Sequence, residues 1–412
     1  MYERSYKQKD EKMKLVKMSL VASLLVGSSV FGIENVKVAG DAQLFYHTDD
    51  TANGSMFDKD QSDADAALHV NASADLSEYV IVGGSFTAIS SLGLENNLVS
   101  DTWASSHGHE NGKVENATWM DTLFIGAAYG KTTAQIGRME LDTPLAFTET
   151  WTIEKNTFEA AVLTNSDIPG TTLVGAYIGN GNGTETFGDD KTGPIGMGIV
   201  NEDGKFSTYG TDGAYALGAI NNSFEPLTAQ AWYYNVSKLV KAYWLQADLA
   251  MDGVMLGAQY TGHELGSKSG ADGVDSNAYA VMAGYEMPDT FLAKIAYSSV
   301  DDAFRAGFNT ATDMEFAQSK LYTEAWWMYG QVTKAGADAV NLTIEAPVAD
   351  IVDLGLYSTM IMHEADNSDV TEVTLTASKS FGPLDTSLAY IYVDDEADEK
   401  WNALQVYLSL NF

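Results

Sequence analysis

The periodicity of this chain predicts an all-β fold, a transmembrane antiparallel β-barrel of about eighteen strands with long extracellular loops. Three observations carry the prediction. Past residue 33 apolar and polar residues alternate, the pattern of a strand with two unlike faces. The alternating segments run to 10–12 residues. At roughly 3.3 Å per residue and a tilt of about 40°, ten residues cover about 25 Å, the height of an outer-membrane barrel's apolar band. Connectors alternate between long acidic stretches and turns as short as Met251-Asp252-Gly253 and Phe381-Gly382-Pro383. A soluble sandwich also alternates, and strand length with the long-short rhythm of connectors separates the two. A closed sheet leaves no open edge in lipid.

Composition narrows the classes. The 412 residues carry 57 Asp+Glu against 23 Lys+Arg and no cysteine, with a mean hydropathy of -0.12. No apolar run reaches the roughly 18 residues of a helical span. A net charge of -34 argues against nucleic acid as a partner, since phosphates are bound by clustered Lys and Arg. The lack of cysteine excludes a disulfide framework, thiolate zinc sites and cysteine nucleophiles. At 45% hydrophobic and 11% aromatic residues the chain is too apolar to be an acidic disordered one.

Two regions follow in order. Residues 1–32 are an N-terminal extension and a signal peptide, and 33–412 the barrel. Lys14 and Lys17 make a basic n-region, Met18 to Phe31 an apolar core of signal length, and Val30 and Gly32 small residues before the cut. Residues 1–12 are polar and stand upstream of Met13, the natural initiator. Export without residues 1–32 leaves 17 basic and 54 acidic residues. The strands read as 36–46, 63–76, 79–88, 117–129, 131–138, 158–165, 171–179, 213–220, 227–236, 240–251, 253–261, 277–287, 290–298, 338–346, 351–362, 370–381, 384–393 and 401–412. A nineteenth candidate, 321–331, breaks the even count a single-chain barrel requires and is assigned to one long loop, 299–336. Tyr46, Tyr129, Tyr285, Tyr297, Tyr392 and Phe412 end apolar faces, where an aromatic girdle belongs.

The other parity of each strand faces the interior. It places Lys37, Asp41, Asp63, Asp65, Asp75, Asp248, Lys294, Glu345, Glu372 and Asp385 as lumen charges. The acids outnumber the bases, and a Debye length of about 8 Å lets such a field fill a narrow channel, enriching cations. The third loop, 139–157, mixes apolar anchors (Leu141, Leu145, Phe147, Trp151) with charges, unlike a free loop. Folded inward, it makes a constriction of Arg138, Glu140, Asp142, Glu149, Glu154 and Lys155.

The run 137–178, GRMELDTPLAFTETWTIEKNTFEAAVLTNSDIPGTTLVGAYI, resembles the major outer-membrane porins of the Campylobacter type, as do LYTEAWW at 321–327 and EAPVADIVDLGLYS at 345–358. The resemblance spans about 33–412 and implies an eighteen-stranded homotrimeric general porin of the cell outer membrane with an inward third loop and a cation preference. Phe412, ending an alternating strand, is similar to the terminal signal read by the barrel-assembly machinery. The expected partners are the lipid bilayer, lipopolysaccharide, small hydrophilic solutes and cations. The expected function is passive diffusion through a water-filled channel. An outer-membrane adhesin or structural barrel acting through its loops is the alternative.

Other constellations are weak. His107-Gly108-His109-Glu110 lacks further metal ligands, and Asp272, Asp275 and Asn277 miss the spacing of a calcium loop. No metal site or cofactor is expected, although an acidic cluster could hold Ca2+ loosely. Gly179-Asn180-Gly181-Asn182-Gly183 opens no helix, so no nucleotide site is expected. His47, His263 and His363 near strand ends come without a serine nucleophile signature, and an enzyme is not expected.

Overall fold

The computed structural model describes residues 34–51, 54–90, 92, 117–183, 206–210, 212–312, 317–349, 351–363, 368–395 and 400–412. The proposed signal segment, His107 and His109 lie outside them. Eighteen antiparallel strands form the barrel wall. They are β1 (Glu34–Asp49), β2 (Ser62–Ser77), β3 (Val80–Ser90), β4 (Ala117–Tyr129), β5 (Thr132–Met139) and β6 (Phe158–Asn165). Then follow β7 (Thr171–Gly181), β8 (Ala214–Phe224), β9 (Leu227–Val236), β10 (Val240–Met251), β11 (Val254–Leu265) and β12 (Asp275–Met287). The last are β13 (Phe291–Val300), β14 (Ala337–Val348), β15 (Val352–His363), β16 (Val370–Phe381), β17 (Leu384–Asp395) and β18 (Trp401–Asn411). Each pairs with its sequence neighbour, and β1 pairs with β18 from Asp41↔Asn411 to Asp49↔Ala403. The sheet is closed, as expected from the alternation. Segment 321–331 lies in the long connector, not in the wall.

The seam shows how register follows from side-chain character. Leu44 faces Leu408 and Ala66, and Ala42 faces Leu410 and Leu68, so this parity is apolar and turned outward. Its partner parity carries Asp41, Gln43, Phe45 and His47 inward. A one-residue slip would exchange the two faces, which is why the pairing is strongly specified. Phe412 completes the seam. Gly40 N–H donates to the Phe412 carbonyl at 3.0 Å and Phe412 N–H to the Gly40 carbonyl at 2.9 Å. Any side chain at Gly40 would collide with the Phe412 ring.

Outward positions stay exposed and apolar all round the wall: Ile125 is 53% exposed, Ile136 64%, Leu217 63% and Ile295 55%. In water this surface would be unfavourable; in hydrocarbon it is the required one. Tyrosine pairs border it at both rims. Tyr79–Tyr129 (5.9 Å between ring centres) lies by the short turns, and Tyr177–Tyr215 (5.1 Å) and Tyr243–Tyr260 (5.7 Å) by the long loops. The short turns use residues that tolerate positive φ, as at Asp252 (53°) and Gly253 (84°), whose handedness matches the twist of the hairpin. A bulge opposite Ser85 and Phe86 turns both Asp121 and Thr122 inward, while Met120 and Leu123 keep outward positions.

An arginine at Ile295, mid-strand on the outer face, should cost about 2–4 kcal/mol of stability in lipid. Arginine at Gln135, on the inner face, should cost little. Urea titration of both variants refolded into vesicles checks this, and equal losses would contradict the assignment of faces.

Candidate functional site

The site is the interior, and two loops build it. After β5 the chain turns inward through residues 140–157. An Asp142↔Phe147 bridge and a short hairpin, Thr150–Trp151 paired with Glu154–Lys155, stiffen it. Leu141, Leu145 and Ala146 are buried in one cluster with inward residues of the wall: Phe158, Ala160, Ile178, Ala216, Trp232 and Tyr234. Leu145 N–H lies 3.4 Å from the Tyr234 hydroxyl. Burying each large apolar side chain of the loop contributes about 1.5–3 kcal/mol, which holds the loop against the inner wall instead of in solvent.

The 301–336 connector forms the second inward layer. Its Tyr322 hydroxyl donates to inward Asp248, and Tyr322 N–H donates to Gln259 of β11 at 3.1 Å. Further along, backbone N–H groups of Trp326, Trp327 and Met328 donate to the Glu372 carboxylate at 2.8, 2.9 and 2.7 Å. Trp326 lies against Tyr357 of β15 (4.7 Å) and Trp327 against His47 of β1 (5.8 Å). This segment therefore follows the inner wall from β10 round to β1. Burial holds the carboxyl of Glu324 well above the usual carboxylate range.

The two loops are tied to each other. Asn309 donates to the Phe147 carbonyl at 2.8 Å and receives the Phe147 N–H at 3.1 Å. Glu149, with no exposed surface, accepts from the Asn309 amide (2.8 Å), the Thr312 hydroxyl (2.7 Å) and the Gln318 N–H (2.9 Å). Lys320 pairs with Asp142 and sits 4.8 Å from the Phe147 ring centre.

The expected constriction residues separate into four settings. Arg138 is not in the lumen. It shares the outward parity of Ile136 and Leu123, pairs with Glu159 at 2.9 Å, and covers the ring of Phe206. Its place next to the loop in sequence hides that it follows Ile136 by two positions on the same face. Glu149 is a buried fastener and presents no charge to the pore. Glu140 and Asp142 do reach solvent, with side chains 50% and 92% exposed, each paired with a lysine, Lys155 and Lys320, that is less exposed at 28% and 31%.

Glu154 is the fourth setting. It is 1% exposed and faces the stretch of wall formed by β1 to β4, which carries Asp41, Asp65, His69 and Asp121. His69 of β2 lies between it and Asp41, with Nδ1 2.8 Å from Asp41 and Nε2 3.8 Å from Glu154. Asp65 and Asp121 are buried beside it, and Lys155 is the neighbouring cation. Burial raises the Glu154 carboxyl to about 7, against the lowering effect of His69. His69 and Asp121 are missing from the sequence expectation. Strand parity could have found His69, which lies four residues beyond Asp65 on the same face; the bulge conceals Asp121.

Lys37, Asp41, Asp63, Asp65, Asp75, Asp248, Lys294, Glu345, Glu372 and Asp385 all occupy inward positions. Several are spoken for: Asp63 lies 3.4 Å from His47, Asp75 accepts from Asn35, and Glu372 anchors the 326–328 backbone. Among the described residues no group of three or more His, Asp or Glu has the geometry to hold a metal ion. Beneath the 139–157 loop the lumen keeps a cleft of about 560 Å3, lined by loop residues Met139 to Thr143 and by wall residues including Gln135, Val162, Val174, Ile220 and Trp232.

No protein-family profile matches the chain, and no curated protein matches its sequence. Solved structures do match. OccK8 (OprE) of Pseudomonas aeruginosa is 14% identical with a TM-score of 0.70, over 92% of this chain and 98% of that one. The outer membrane protein OpdK of Pseudomonas aeruginosa is 10% identical (TM-score 0.72, 92% and 98% covered). OccAB1 of Acinetobacter baumannii is 13% identical (TM-score 0.71, 92% and 97% covered). At these identities the likeness is one of fold. It is to the outer-membrane porin barrel in general and does not single out the Campylobacter type.

Replacing Glu149 by Ala strands three donors and should loosen the two loops by about 3 kcal/mol. Raised unitary conductance and faster proteolysis at 140–157 are the expected readouts, with Glu149→Gln milder; a variant indistinguishable from the parent would show the tie to be idle. For Glu154 the sign follows from its raised value. The folded chain binds more protons than the unfolded one between about 4.5 and 7, so the hairpin is seated most firmly below that window and loses this stability as pH rises through about 7. Current fluctuations should increase from pH 5 to pH 8, and Glu154→Gln should flatten that dependence.

Proposed function

We propose that this chain forms a water-filled outer-membrane channel for passive diffusion of small hydrophilic solutes and ions, with a preference for cations. The observation that carries the reading is a closed barrel whose interior is narrowed by two inward loops yet keeps a cleft of about 560 Å3 beneath the first. A structural barrel would have that space packed. The cation preference rests on charge. Inward acids such as Asp41, Asp75, Asp248, Glu345 and Asp385 face inward bases Lys37 and Lys294, and of the ion pairs at the loop the acid is the more exposed partner. Fields of this kind bias permeation without any binding site and fade with salt.

The finer parts of the reading belong to the same proposal. The resemblance in 137–178, 321–327 and 345–358 assigns the chain to the Campylobacter-type porins and implies a homotrimer. Export would remove 1–32, leaving 33–412 as the barrel, with Phe412 presented to the assembly machinery. Mass of the detergent-solubilised protein and N-terminal sequencing of the membrane form test these points.

Single-channel recording of the refolded barrel across a KCl gradient tests the function. Discrete steps with a cation-biased reversal potential that shrinks toward zero in molar salt are expected. Glu140→Lys together with Asp142→Lys should shift that potential toward anions. A folded barrel without steps would end the diffusion reading, and an anion bias in the parent would end the cation preference.

A further inference from the structure

We propose that the cleft beneath the 139–157 loop is a binding site for small amphiphilic organic cations, molecules with one amine and a flat or branched apolar body. The inference deepens the channel reading and rests on it. The inner wall on the turn side of the loop has two unlike halves. From β3 to β9 the inward positions around the cleft are mainly apolar, Ile81, Val162, Val174, Ile220 and Trp232, joined by Met139 at the end of β5 and Leu141 of the loop and interrupted by Gln135, Thr133 and Thr164. Ile81 is 44% exposed, and Val162, Val174 and Ile220 are half-buried, so these four are in contact with the lumen, while Trp232, Met139 and Leu141 are buried behind them.

Apolar surface facing a water-filled passage is unfavourable by about 25 cal/mol per Å2 until a solute covers it. A purely hydrophilic solute cannot recover that free energy, and one with an apolar face can. The other half of the wall sets the sign of charge. There the inward positions include Asp75, Asp248, Glu345 and Asp385, and neutral groups hydrogen-bond them: Asn35 for Asp75, Tyr322 and Gln246 for Asp248, Tyr357 for Glu345. Such partners orient a carboxylate without cancelling its charge. Glu140 and Asp142 add carboxylates at the roof of the cleft, each paired with a lysine and more exposed than that partner. An amine is drawn toward these groups while its body lies on the apolar strip; an anion of the same shape is repelled. A cleft of about 560 Å3 holds a solute with one ring and a short arm together with water.

Block of the KCl current by added amines tests the site. Phenethylammonium added on the turn side should half-block at a concentration about tenfold below that of ethylammonium, and 3-phenylpropanoate should not block. Ile220→Ser and Val174→Ser, each verified as a folded barrel by heat-modifiable mobility, should bring phenethylammonium up to the ethylammonium value. Equal block by the two amines, block by the anion, or unchanged block in both variants would overturn the proposal. The unblocked KCl steps and their reversal potential report separately on the channel reading, so loss of the site leaves that reading standing.

Discussion

No peptide group can be left unpaired in hydrocarbon, and the seam between β1 and β18 is where this chain meets that condition. About 350 residues separate the two strands, yet the pairing of Asp41 with Asn411 and the reciprocal bonds of Gly40 with Phe412 make the sheet continuous. Closure gives every strand one face in lipid and one in the lumen. From that follow the exposed Ile125, Leu217 and Ile295 outside, and the acids and amides inside. It also makes register strict, because one slipped residue would place Asp41 in the bilayer.

A closed barrel of this width has more interior than its own side chains can fill. The chain resolves this with two loops that are themselves a partial core. The 139–157 loop brings Leu141, Leu145 and Ala146 to an apolar inner wall, and the 301–336 loop lays its tryptophans along the opposite side. Carboxylates do much of the fastening. Glu149 gathers donors from three residues of the neighbouring loop, and Glu372 takes three consecutive N–H groups, charge-assisted bonds that satisfy backbone and side-chain donors of the loops. The acidity of the sequence is thus of two kinds. Some carboxylates are structural acceptors, and others keep their charge in water.

That division explains what could be read beforehand and what could not. Strand existence, order and facing were legible because alternation is local: Asp63, Asp65 and Asp75 sit on the parity opposite Ala64, Ala66 and Ala74, and no distant contact is needed to see it. Arg138 was legible by the same rule and was misassigned by giving its neighbourhood to the loop more weight than its two-residue spacing from Ile136. Asp121 was not legible, since a bulge opposite Ser85 and Phe86 changes the count without a sequence mark. Glu149 and Glu154 read identically as loop acids. Their fates differ because one meets Asn309, Thr312 and Gln318 from a segment some 160 residues away, and the other meets His69 on the wall.

The sequence by itself determined a barrel: a period of two, strand lengths matched to a bilayer, and turns short on one side and long on the other are properties of neighbouring residues. It also determined the excess of inward negative charge, which is a sum over those faces. Only the tertiary structure decided which carboxylates are fasteners and which face water. It alone also set an apolar strip opposite an acidic wall, because both depend on contacts between segments far apart in the chain, and local periodicity carries no information about distant partners.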